Sequence, residues 1–106
     1  MPPGPQSDRR RNRRWAVDLP VFVYGHSAAQ EPFHEEAHTV DVCANGALLI
    51  LGAHVRAGQK LLLINKSTQG EQECRVAYLG ERLAHTTAIA IEFEHENAAF
   101  WELPAS

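Results

Sequence analysis

A chain of 106 residues is long enough for one domain, and 44% hydrophobic with 22% charged residues is ordinary for a globular protein. No apolar run approaches the roughly 20 residues of a membrane span, and the start "MPPGPQSDRRRNRRW" has charge but no apolar core behind it, which argues against membrane insertion and a secretory signal. The net charge of −3 divides unevenly: residues 1–14 carry five arginines against Asp8, for +4, and the remainder carries −7. Such an acidic body repels a long polyanion such as DNA, whereas a local basic arm suits a small, highly charged anion.

In chain order, residues 1–8, with Pro2, Pro3, Gly4 and Pro5, read as a disordered lead-in. The run "RRRNRRW" at 9–15 follows, just ahead of the first strand signal. "VDLPVFVYG" at 17–25 alternates, placing Val17, Leu19, Val21 and Val23 on one face, and Pro20 predicts an edge strand or a local irregularity. The stretch "HEEAH" at 34–38 reads as a solvated acidic loop entering a strand at 38–43. "ANG" at 44–46 signals a turn, followed by apolar strands at 47–51 and 60–65 with a turn near Gly58 between them. "EQECRVAYLG" at 71–80 places Cys74, Val76 and Tyr78 together, and "TTAIAIEFE" at 86–94 does the same for Ile89, Ile91 and Phe93. "NAAFWELP" at 97–104 predicts a helical turn or two, with Asn97 as cap, Phe100, Trp101 and Leu103 over an open barrel end, and Pro104 as the stop. Six evenly spaced strands predict an all-β fold, a small six-stranded antiparallel β-barrel with a short C-terminal helical segment. Side chains fill so narrow a barrel, so a small ligand must sit outside it.

Motifs for catalysis are missing. "HEEAH" matches the zinc-protease pattern literally, but that chemistry needs a helix, and Pro32 before it and "TVDV" after it predict otherwise. The serines lack a nucleophile elbow. His26, His54, His85 and His95 are scattered near turns and strand ends. Cys43 and Cys74 fall in apolar strand-like segments and are expected to be reduced, buried thiols in a cytoplasmic protein. The expectation is a binding protein, not an enzyme, with no metal and no cofactor.

Two motifs fit together. Arginine's planar fork matches phosphate oxygens and the guanine edge, so Arg10 and Arg14, or Arg9 and Arg13 in the alternative register, can clamp a dinucleotide against a fixed wall. "DVCANG" at 41–46 offers that wall: Asp41 can accept from base N–H groups or orient an arginine, and Asn45 and Gly46 permit a positive-φ turn. Taken separately, a solvated basic tail and an ordinary hairpin would explain them.

Together these residues resemble the PilZ domain, the bacterial receptor module for cyclic di-GMP. The resemblance spans residues 9–103 as a single domain. It rests on arginines four apart before the first strand and on a turn motif in which Asp41 takes the acidic position and Gly46 the glycine. It implies a ligand site of Arg9, Arg10, Arg13, Arg14, Asp41, Cys43 and Gly46, with Arg10 and Arg14 the favoured pair. It further implies that binding orders the arm and signals to a protein partner. Cys43 stands where the family has serine, and a thiol is the poorer hydrogen-bonding group, so an affinity loss of about 1 kcal/mol is expected there. The alternative is a PilZ-like protein-interaction adaptor that has lost the nucleotide. The acidic body argues against nucleic acid as a partner.

Overall fold

The computed structural model describes residues 13–103. The expected lead-in at 1–8, Arg9, Arg10 and the Pro104 stop lie outside the described residues. Six strands form one closed antiparallel barrel in the order β1-β2-β3-β6-β5-β4, with β4 pairing back onto β1. They are β1 (Pro20–His26), β2 (Pro32–Cys43), β3 (Gly46–Leu51), β4 (Lys60–Asn65), β5 (Glu71–Leu83) and β6 (Thr86–Glu92). No helix among the described residues is long and apolar enough to cross a membrane.

Alternation explains the inside of the barrel. Val21 and Val23 of β1, Leu49 and Leu51 of β3, Leu63 of β4, Val76 of β5 and Ile89 of β6 are fully buried. A 3₁₀ turn, Ala98–Trp101, brings the rings of Phe100 and Trp101 to 5.8 and 6.0 Å from that of Phe93, centroid to centroid, and 4.8 Å from each other. Asn65, itself buried, fixes this turn by donating from Nδ2 to the Phe100 carbonyl at 2.7 Å. Asn97 does not cap the turn through its side chain. Its Nδ2 donates instead to Gln72 Oε1 at 2.6 Å.

Several expectations change at strand ends. Pro20 is not on an edge, because closure leaves no edge. It is tolerated as the first residue of β1, before the β4 ladder begins at Val21. Val17 and Leu19 precede β1 and pack, half-buried, against the core from outside the ladder. β2 begins at Pro32, so "HEEAH" is strand and not loop. Tyr78 does not share the inward face of Cys74 and Val76. A bulge between Val76 and Tyr78 resets the alternation and leaves Tyr78 66% exposed.

Candidate functional site

The segment preceding β1 is stitched to β2. Trp15 and Val42 exchange both backbone hydrogen bonds, Trp15 N–H to Val42 O at 2.8 Å and Val42 N–H to Trp15 O at 2.9 Å. The buried Thr39 hydroxyl donates to the Val17 carbonyl at 2.5 Å and accepts from the Leu19 amide at 2.8 Å. On the outer side, His38 Nδ1 lies 2.6 Å from an Asp18 carboxylate oxygen. Thr39 was not among the expected site residues. Its signal in the sequence is a hydroxyl at an inward position of "AHTVDV", where only a polar partner makes burial tolerable.

This stitching sets the arm's root beside Asp41. Arg14 donates from a guanidinium N–H to the Asp41 carboxylate at 2.5 Å, although the two residues are 27 apart in sequence. The Asp41 side chain is 22% exposed and that of Arg14 is 56% exposed, so the pair lies at the rim and faces water on one side. The Arg13 guanidinium lies over the Trp15 ring, 4.1 Å from its centroid. A stacked cation of this kind keeps its N–H edges free for another acceptor.

Two expected residues serve the frame of this site. Cys43 is buried, and its thiol donates to Asn45 Oδ1 at 3.1 Å. Gly46 is buried and pairs with Cys43 to close the two-residue turn. The anticipated positive-φ backbone is not what this turn uses, since neither Asn45 nor Gly46 has positive φ. Gly46 is required for space: a Cβ there would press into the Ile91 carbonyl oxygen of β6. The turn is further held by Phe93 N–H to Asn45 O and Asn97 N–H to Ala44 O, both 2.7 Å.

The structure thus brings Arg14 and Asp41 into contact at the surface and sets Arg13 over Trp15, with Cys43 and Gly46 paired at the turn that follows Asp41. Elsewhere, "HEEAH" finds a structural use. Glu35 accepts from the Gly52 amide at 2.6 Å and the Ala53 amide at 2.9 Å, so its carboxylate secures the end of β3. Both cysteines are free and buried. Burial pushes the Cys74 thiol up from 9.0 to about 12, despite a lowering hydrogen bond with the Leu61 backbone, so it stays protonated and unreactive near neutrality. No three His, Cys, Asp or Glu side chains gather to hold a metal ion among the described residues. In comparison with known proteins, no family model matches the chain and no curated sequence matches it.

Proposed function

We propose that the chain is a non-enzymatic receptor for cyclic di-GMP, of the PilZ kind, that passes ligand binding on to a protein partner. The observation that carries this reading is the Arg14–Asp41 contact, which joins the arginine motif to the turn motif. A guanidinium offers five N–H donors, so one spent on Asp41 fixes its orientation and leaves the others for a phosphate. The second carboxylate oxygen of Asp41 is suited to accept from a guanine N–H edge. The arm's root at residues 13–15 is already seated on β2, so binding draws further arginines of the arm, Arg10 first, towards a preformed anchor. The barrel beneath is unchanged, and the signal is the new surface made by arm and ligand together.

The second reading is a protein-interaction adaptor without nucleotide. Cys43 favours it, because its buried thiol is committed to Asn45 and offers a ligand no donor. Calorimetric titration with cyclic di-GMP separates the two, with GMP and a single-stranded oligonucleotide as controls. The receptor reading expects saturable binding of cyclic di-GMP above either control. No heat at high micromolar ligand leaves the adaptor.

A further inference from the structure

The outer face of the β5–β6 ribbon carries the two most exposed large hydrophobic side chains among the described residues, Tyr78 at 66% and Leu83 at 65%. Residues directly opposite each other across a strand pair share a face. Tyr78 is opposite Ala90, and Leu83 is opposite Thr86. Along β6, buried Ile89 and Ile91 alternate with outward Ala88, Ala90 and Glu92, and Thr86 continues the outward row. The bulge after Val76 turns Tyr78 onto this face, and a second irregularity between Leu79 and Arg82 precedes Leu83. Gly80 lies between the two, against the Ala88 backbone.

The large side chains therefore stand on β5, and each has a smaller neighbour on β6. On the far side of β6, Leu48 and Ile50 of β3 stand opposite Ala90 and Ala88, so the small positions run between two higher rows. Beyond Tyr78, Arg75 of β5 is opposite Glu92 of β6. Both are exposed, and neither is in an ion pair among the described residues. This pattern is complementary to itself. A twofold axis running between β5 and β6, parallel to both, lays β5 of one copy over β6 of the other and keeps each row in step. Tyr78 then covers the partner's Ala90, Leu83 covers the partner's Thr86, and Arg75 meets the partner's Glu92. Every contact occurs twice, as an isologous interface requires.

From this we infer that the chain pairs with a second copy of itself, as a twofold dimer through the outer face of β5 and β6. Contact with the partner takes Tyr78 and Leu83 out of water, which the barrel alone does not do. The barrel is convex, so little more than two strands of each copy meet. The interface therefore belongs to the small, transient class, below about 1,200 Å². β3 separates β6 from Asp41 on β2, and the inference does not rest on the receptor reading.

Sedimentation velocity of the full chain over about 10 μM to 1 mM is expected to show a concentration-dependent equilibrium between monomer and dimer. Tyr78→Lys should weaken the dimer at least about thirtyfold, the loss expected of a central aromatic anchor. Its urea midpoint at low protein concentration should match the wild type, because Tyr78 is exposed in the single barrel. Arg75→Glu and Glu92→Arg each bring like charges together twice per dimer, so each should weaken it about tenfold, and the double variant should regain the wild-type strength. A wild type that stays monomeric throughout that range overturns the inference. So does a Tyr78→Lys variant that dimerises as strongly as the wild type, or a double charge reversal that dimerises no better than the single ones.

Discussion

Gly46 opens β3 opposite Glu92 of β6, and the steric demand on it is severe because the atom opposing a Cβ is the backbone carbonyl oxygen of Ile91. Gly46→Ala is expected to lower stability by about 1–3 kcal/mol, the usual cost of overpacking a tight site. Urea unfolding reads this directly, and an unchanged midpoint would mean the strands can part without cost. The sequence marked Gly46 as special for its turn, whereas the real constraint comes from Ile91, 45 positions away, which no local pattern reveals. Cys43 has a similar lesson. Its side chain is buried and its thiol is bonded to Asn45, so on the receptor reading Cys43→Ser is expected to leave cyclic di-GMP affinity within about threefold, less than one neutral hydrogen bond. Tightening by tenfold in a calorimetric titration would place the hydroxyl on the ligand instead. Asp41 and Arg14 were legible as candidates because their chemistry is distinctive. That they touch required the fold.

Among the elements, the stitched segment 15–19 holds Arg14 beside Asp41 of β2. Thr39 holds it through two hydrogen bonds of one hydroxyl. Thr39→Val keeps the shape but leaves the Leu19 amide and Val17 carbonyl without that partner, at a cost of about 1–3 kcal/mol. Hydrogen exchange should quicken at Leu19 and Val42 more than at Val23 or Ile89. Equal acceleration everywhere would show that the segment opens only with the whole barrel. Strand β4 was readable to the residue, because an apolar run bounded by turn residues admits one interpretation. The first half of β2 was not, since His34, Glu36 and His38 face solvent and the inward-leaning Glu35 is satisfied by amides of another strand end. Tyr78 was misplaced because a bulge has no reliable signature in an alternating sequence.

The whole molecule is a barrel closed by six pairings and covered at one end by Phe93, Phe100 and Trp101. Its interior has a pH consequence. The unfolded Cys74 thiol ionises near 9.0, and the folded one is held protonated up to about 12. Above pH 9 the unfolded chain therefore releases a proton that the folded chain keeps, and stability falls as pH rises towards 12. Near pH 10.5 the loss from this group is about 2 kcal/mol, at about 1.4 kcal/mol per pH unit. Urea melts of the wild type and Cys74→Ala at pH 8 and 10.5 should show a shallower alkaline decline in the variant, and parallel declines would remove Cys74 as the cause. If the arm's root and the "DVCANG" turn form one receptor site for cyclic di-GMP, titrating the wild type and Arg14→Ala with cyclic di-GMP, and melting both proteins, will separate binding from stability. Arg14 makes one rim ion pair worth at most about 1 kcal/mol to the fold, so the melts should nearly coincide. Charge-assisted bonds from Arg14 to a ligand phosphate would be worth about 1.5–3 kcal/mol each, so on the receptor reading the variant should bind at least about tenfold more weakly. A wild type that does not bind, or an Arg14→Ala variant that binds as tightly as the wild type, would rule out a receptor site at Arg14 and Asp41.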